Sequence, residues 1–521
     1  MIRNLPGIIP FITLCILTAS GQAPAQSEEP TATLNIDVDA DVLEYNPMIF
    51  GGFIEHFHRQ VYGGIFEPES KLSNENGFRK DVIEALKELK MPIVRWPGGC
   101  FASSYHWLDA VGPKRTAAFD KAWKVEDPNT FGTDEFVLWC RAIGAEPYIC
   151  VNAGTGTLEE MSDWVEYCNQ TVGKWAALRR ANGYEEPHNV KYWSIGNENW
   201  GLHEPVTRSK EEWPMLVREG AQLMLAVDPT IQTFAPVLND ETWAMPTLRV
   251  AGRHLNYVSI HGYWDELWFN PEPSDYLTAM SWTSKPEDQI VEMKRILQNS
   301  PARHVKIAFD EWNLRSWHHP NAPDGRASAA DIAAREVHDE NDTYTMADAL
   351  FSASFLNGCM RNADAVTMAN IAPIVNARGP LFVHPEGIVK RTTFHVLQMY
   401  ANELKANVVP MTIESVMLPA PADKVSAVDG LATCDDSKTN WRIVLLNRHP
   451  EAEAEVTLAL GGEVLNGSYP AIVLSGDHFD AFNDIDRPER VKPESTEFRL
   501  ENGVVMLPPH SVSIVSVTRP K

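Results

Sequence analysis

From about residue 47 to residue 400 the chain alternates short apolar runs with segments whose apolar residues recur at helical spacing. The runs extend from Met48 to His56, Met91 to Cys100, Glu146 to Asn152, Val190 to Ile195, Thr230 to Val237, Leu255 to Tyr263, His304 to Asn313 and Ala365 to Ile371. Each is short enough for a buried strand, and most end in glycine or polar residues. Between them, Val82, Leu86 and Leu89 share one helical face, as do Phe136, Val137 and Cys140. Met161, Trp164, Val165 and Cys168 form a third such set. Thr133 is placed to cap the second of these helices and Gly144 to stop it. Thr157 with Glu160, and Ser209 with Glu212, have capping-box spacing, and another helix is expected around Met346 to Met360. Eight strands alternating with helices predict a (β/α)8 TIM barrel.

Beyond about Leu404 the pattern becomes short alternating runs such as Trp441 to Leu446, Ala454 to Leu458 and Ser511 to Val517. Turn residues separate them, which predicts a C-terminal all-β sandwich or jelly roll. Ala32 to Val42 also alternates, and this strand is expected to join that β domain. The expected organisation is a signal peptide over 1–25, a linker and N-terminal strand over 26–46, the barrel over 47–403 and the β-sandwich over 404–521.

A chain of 521 residues accommodates a barrel and a second domain. The formal net charge of −25 opposes binding to nucleic acid or an anionic membrane and suits a neutral ligand. Arg3, the apolar stretch from Leu5 to Leu17 and Ala23-Pro24-Ala25 form the three regions of a secretory signal, too short for a stable membrane span. A secreted or periplasmic location is expected. Cleavage after Ala25 removes Cys15, and the six remaining cysteines read mostly as small buried hydrophobes. No Cys-x-x-Cys or His/Cys cluster points to a metal.

Chemistry-bearing residues concentrate at the ends of the apolar runs. Trp193-Ser-Ile-Gly-Asn-Glu-Asn-Trp-Gly201 delivers Asn197 and Glu198, and the seventh run ends at Glu311. Strand ends of a parallel barrel converge at one mouth, so Glu55, Arg95, Asn152, Asn197, Glu198, His261, Tyr263 and Glu311 can share a pocket. Singly, each has an ordinary reading: Arg95 as an ion-pair partner, His261 as a hydrogen-bonded rim residue. Burying so many charged groups together is costly unless they are paired or used. Two carboxyl groups flanking a neutral ligand are what glycoside hydrolysis requires: one donates a proton to the leaving oxygen, and the other stays ionised and attacks the anomeric carbon.

Gly51-Gly-Phe-Ile-Glu-His56 with Val61-Tyr-Gly-Gly-Ile65, Val94-Arg-Trp-Pro-Gly-Gly-Cys-Phe101, Trp193 to Gly201, Ser259-Ile-His-Gly-Tyr263 and Asp310-Glu-Trp-Asn313 resemble the motifs of glycoside hydrolase family 51. The resemblance runs from about Ile36 to Tyr400, and typical members are retaining α-L-arabinofuranosidases. It implies that Glu198 is the acid/base, in surroundings that raise its pKa, and Glu311 the nucleophile. It also implies substrate-binding roles for Glu55, Arg95, Cys100, Asn197, His261 and Tyr263, to which Asn152 is added from its strand-end position. Trp123 and Trp317 are candidate sugar platforms or ordinary packing aromatics. Three positions depart from the pattern. Cys100 stands where many relatives have Asn, Pro373 where a sugar-binding Gln is common, and Arg315 where an aromatic is expected, a change that could alter the leaving-group side.

The resulting expectation is a secreted retaining exo-α-L-arabinofuranosidase acting on terminal arabinofuranosyl residues of plant polysaccharides or oligosaccharides. It requires no cofactor, and self-association is left open. The alternatives are a glycosidase of the same scaffold for another furanose, an endo-glucanase, or a non-catalytic carbohydrate-binding protein. Intact Glu198 and Glu311 weigh against the last.

Overall fold

The computed structural model describes residues 29–267, 272–317 and 339–519. The expected signal peptide, 1–25, lies outside the described residues. Eight parallel strands close into a barrel: β1 Gly51–Phe53, β2 Ile93–Trp96, β3 Glu146–Val151, β4 Tyr192–Ile195, β5 Gln232–Pro236, β6 Tyr257–Asp265, β7 Lys306–Arg315 and β8 Val366–Ile371. The ring closes where β8 meets β1, with Asn370 opposite Gly51 and Ile371 opposite Gly52. Ile93, Tyr148, Tyr192, Phe234, Ala308 and Met368 form a separate apolar cluster contributed by the barrel strands, with Tyr257 packed against it. In a barrel such interior layers make a solid core, so ligand chemistry is left to the strand ends.

Two local expectations are corrected. The first apolar run does not form one strand from Met48 to His56. Pro47–Phe50 is a 3₁₀ turn capped by Asn46, whose side chain accepts the Met48 N–H at 3.0 Å, and the strand is only Gly51–Phe53. The bare glycines suit the barrel seam: a Cβ on Gly52 would lie 2.2 Å from Ile374 Cγ2, and one on Gly51 2.6 Å from Ile93 Cγ2. Thr133 is not a cap but the first residue of the helix Thr133–Ile143. Its buried hydroxyl accepts the Trp164 indole N–H at 3.0 Å, while Glu135 accepts the Gly132 N–H. The αL Gly144 ends that helix, as the sequence predicts.

Besides two short hairpin pairs, Ala118–Phe119 with Glu126–Asp127 and Leu381–His384 with Gly387–Lys390, the remaining described strands form two larger sheets. One orders Met411–Ser415, Thr31–Ile36, Ala454–Leu460 and Glu463–Val464, with Val504–Leu507 also paired to Ala454–Leu460. The other has seven strands, including Val428–Cys434, Asn440–Asn447 and Ser511–Thr518. Leu34, Ile36, Ile443, Leu445, Val456, Leu458, Val515 and Val517 interleave in one apolar cluster drawn from both sheets, so the all-β part is a sandwich.

The helix Met346–Arg361 lies between sandwich and barrel, buried on almost every side. Polar groups are matched there. Asp429 accepts from Arg361 Nη1 at 3.0 Å, Arg448 Nη2 at 2.9 Å and Asn357 Nδ2 at 3.2 Å. Cys100, Cys140, Cys150, Cys168, Cys359 and Cys434 are buried free thiols.

Candidate active site

The barrel brings Arg95, Asn197, Glu198, His261, Tyr263 and Glu311 into one network of hydrogen bonds and ion pairs, with Glu55 and Cys100 close by. Arg95, wholly buried near the end of β2, is its hub. Its Nη1 donates to Glu311 Oε1 at 2.6 Å and its Nη2 to Asn197 Oδ1 at 2.6 Å, while Nε lies 3.6 Å from Asp310 Oδ2. Burial works to lower the guanidinium pKa, but Asp310 and Glu311 outweigh it and hold Arg95 charged. Tyr263, on β6, donates to the other oxygen of Glu311 at 2.7 Å. Both oxygens of Glu311 are therefore fixed by donors, which orients the carboxylate.

Glu55 receives three N–H groups on one oxygen, from Gly99 at 3.1 Å, Phe101 at 2.9 Å and Trp123 Nε1 at 3.0 Å. Burial nevertheless lifts it to about 8, with Glu311 and Asp120 pushing the same way against those donors. The Gly98-Gly99 pair permits this approach. Gly98 has φ +148°, and a Cβ there would sit 2.3 Å from Glu55 Cγ.

Glu198 contradicts one expectation. Its Oε1 contacts His261 Nδ1 at 2.7 Å and its Oε2 contacts His203 Nε2 at 2.6 Å. Burial would raise the carboxyl, yet the hydrogen bonds and charge of the two histidines hold it well below the usual carboxylate range. The balance thus places the protons on the imidazoles. Burial opposes both histidines, but Glu311, Asp310 and Glu198 lift His261 to about 10, and Glu198, Glu204 and Glu311 lift His203 to about 9.

Four other positions singled out in the sequence have defined surroundings. Asn152 is occupied by its own loop: Oδ1 accepts from Gly154 and Thr155 N–H, and Nδ2 donates to Tyr105 O and Thr155 Oγ1, all at 3.0 Å. These bonds shape the turn after β3. Trp123 is 5% exposed and stacks on Phe57 at 3.8 Å; its role visible here is the donor to Glu55. Trp317, 2% exposed, packs against Phe57 and His58. Arg315 is buried between Asp265, at 2.5 Å, and Asp348, at 2.9 Å. It is an internal ion-pair residue, not a replacement on the leaving-group side.

The structure adds residues that the sequence reading assigned no role. Glu204 accepts from Asn197 Nδ2 at 2.7 Å and from the Ser103 hydroxyl. Asp310 accepts from Tyr148 at 2.7 Å and from Ser259. Arg378, near Pro373, lies over the Tyr263 ring at 4.5 Å and donates to Ala372 O at 2.8 Å. Only His203 and Glu204 carried a usable signal, two ionisable residues in the loop directly after the Glu198 strand end.

Among the described residues, two groups of three His, Cys, Asp or Glu side chains bring nitrogen, oxygen or sulfur atoms within 4.8 Å of one another: Cys100 with His203 and Glu204, and Glu198 with His261 and Glu311. In the first, His203 is engaged by Glu198, and Glu204 by Asn197 and Ser103. Burial and four surrounding carboxyl groups keep the Cys100 thiol protonated. The first group is thus part of a proton-sharing network, and the second places oxygens of the two expected catalytic carboxyls within 4.8 Å.

Comparison with known proteins points to one family. Residues 85–281 match the family description "Alpha-L-arabinofuranosidase 1 domain" and residues 310–511 match "Alpha-L-arabinofuranosidase C-terminal domain". The chain is 34% identical to alpha-L-arabinofuranosidase C of Emericella nidulans over 94% of its own length and 98% of that protein. It is similar in structure to an α-L-arabinofuranosidase from Thermotoga maritima in complex with arabinose, with TM-score 0.83 and 31% identity, covering 94% of this chain and all of that one. A thermostable GH51 α-L-arabinofuranosidase from Thermotoga petrophila gives TM-score 0.83 and 32% identity, covering 93% and 100%.

Proposed function

The chain belongs to the α-L-arabinofuranosidases of glycoside hydrolase family 51, and from that premise we propose that it cleaves with retention, through a covalent intermediate on Glu311. The observation that carries this reading is the spacing of the two carboxyls, with oxygens of Glu198 and Glu311 within 4.8 Å. Retaining glycosidases hold their carboxyl groups about 5–5.5 Å apart, whereas inverting enzymes need about 6.5–9.5 Å to admit a water.

In the proposed first step Glu311, aligned by Arg95 and Tyr263, attacks the anomeric carbon while Glu198 protonates the departing oxygen. In the second, Glu198 takes a proton from water, which displaces Glu311. Asn197, held at both ends of its amide, is suited to bind the sugar 2-hydroxyl, a contact that strengthens as charge develops. Glu55, lifted to about 8, carries a proton at neutral pH and can donate to a sugar hydroxyl.

The substrate proposed is a terminal arabinofuranosyl residue of plant polysaccharides or oligosaccharides, attacked by an exo-acting enzyme that is secreted or periplasmic. The leader-like first residues support export. Proton NMR of hydrolysis tests the stereochemistry: α-arabinofuranose as the first product supports retention, and the β-anomer overturns it. Fractionation of the native host with N-terminal sequencing tests export, expected to give a chain beginning at Gln26.

A further inference from the structure

Glu198 enters the proposed reaction as a proton donor, yet in the resting site both of its oxygens face imidazoles and its own proton is absent. The two histidines are held differently. His261 belongs to β6, its side chain is 4% exposed, and its Nε2 is tied to Ser259 Oγ at 3.1 Å with Asp310 at 3.4 Å. It has no room to leave, so Oε1 of Glu198 stays covered.

His203 sits on the loop that follows Glu198, and its side chain is 38% exposed. The preceding residue, Leu202, is 94% exposed. Both ends of this loop are anchored. Asn199 donates to Val206 O at 2.9 Å, and Arg208 donates from its backbone to Asn199 O at 2.6 Å and from Nη2 to Gly154 O at 2.8 Å. The tip carrying Leu202 and His203 reaches into solvent. Of the two oxygens of Glu198, Oε2 is therefore the one that a leaving group can reach, and His203 is what must yield.

We propose that His203 is a positioning residue that stores the proton Glu198 donates and hands it over as the leaving group arrives. The proton passes from His203 Nε2 to Glu198 Oε2, turning imidazolium and carboxylate into neutral imidazole and carboxylic acid. It then moves to the glycosidic oxygen as the carbon–oxygen bond breaks and Glu311 bonds to the sugar. In the second step water gives a proton to Glu198 while its oxygen displaces Glu311, and the proton returns to His203. The cycle closes with no net gain or loss of protons.

The groups facing His203 favour this store. Glu198 comes from the end of β4, Glu204 from the same loop, Glu311 and His261 from β7 and β6, and Cys100 from the segment after β2. Burial works against the imidazolium, but the three carboxyl groups outweigh it, so the stored proton persists to about pH 9. A carboxyl beside a neutral residue releases its proton at lower pH.

The inference rests on Glu198 being the acid/base, and the test separates the two. The rate constant kcat/KM is measured from about pH 5 to pH 10 on methyl α-L-arabinofuranoside, a poor leaving group, and on the 2,4-dinitrophenyl glycoside, a good one. The proteins compared are wild type, His203→Gln, His203→Ala and Glu198→Gln. On the methyl glycoside, His203→Gln is expected to move the basic limb down by about two pH units. Above neutrality its loss on that substrate should exceed the loss on the aryl glycoside by about tenfold or more. Added imidazole should partly restore His203→Ala. An unmoved basic limb, or equal losses on both substrates, overturns the role of His203 alone. Equal losses in Glu198→Gln overturn the assignment of Glu198 and this inference with it.

Discussion

Glu204 fixes which end of the Asn197 amide faces which neighbour: its Oε1 accepts from Asn197 Nδ2 at 2.7 Å while Arg95 donates to Asn197 Oδ1 at 2.6 Å. The two ends of an amide are nearly alike in shape, so only their partners decide its orientation. A guanidinium on one side and a carboxylate on the other leave a single arrangement, with the second amide hydrogen available to a sugar hydroxyl.

Replacing Glu204 by Ala should therefore lower kcat/KM by about 10- to 100-fold, the range found when a partner that orients a functional group is removed. Glu204→Gln, which can present an N–H to Asn197 and favour the flipped amide, should recover little. Steady-state kinetics, with circular dichroism to confirm folding, checks both.

Glu311→Ala should abolish turnover of every substrate, since it removes the carboxylate that Arg95 and Tyr263 hold by its two oxygens. Glu198→Ala should retain the first step on activated aryl glycosides and lose natural substrates by about 100-fold or more. Azide should rescue it and yield the glycosyl azide of retained configuration. Burst kinetics and product NMR distinguish the two variants.

Gly98→Ala should disable the enzyme although it adds one methyl group. That methyl would meet Glu55 Cγ at 2.3 Å on a backbone of φ +148°. Glu55 and the Gly99–Phe101 donors would have to separate, so a protein that still folds should show a raised KM together with a lowered kcat. Kinetics and a melting curve on the purified variant decide this.

Asp429→Ala should destabilise the fold by about 3–5 kcal/mol, because it leaves Arg361 and Arg448 without their shared carboxylate. Burial acts to raise Asp429, but the two arginines and Asn357 hold it at about 2. The unfolded chain therefore binds a proton at higher pH than the native one. The resulting contribution, about 2 kcal/mol, is complete above about pH 4 and disappears as pH falls toward 2. Denaturant melts of wild type and Asp429→Asn across that window should converge at the acid end.

The barrel strands were legible because each is an apolar run closed by polar or glycine residues, and a parallel barrel buries both faces of its strands. The Met48 to Phe50 stretch misled for the same reason: a buried 3₁₀ turn is as apolar as a buried strand, and only Pro47 and Asn46 hinted at it. The turn bonds of Asn152 were not legible, because a polar residue at a strand end serves a turn as readily as a ligand. The protonation of Glu198 was beyond sequence reading, since its two histidines arrive from different elements, one on the following loop and one on β6. Glu198, Glu311, Arg95 and Tyr263 were legible because the motifs that carry them lie at strand ends.

The strand Thr31–Ile36 lies between Met411–Ser415, antiparallel, and Ala454–Leu460, parallel. A ribosome therefore makes this strand near the start of the chain and must emit almost the whole barrel before either neighbour exists. Until then its buried positions, Ala32, Leu34 and Ile36, have no sheet to enter, and the sandwich can be completed only by joining two distant parts of the chain. Removing the first few residues of the described chain would thus open a sheet more than 370 positions downstream, and a barrel cut free at its C-terminal boundary would carry an orphaned strand at its head.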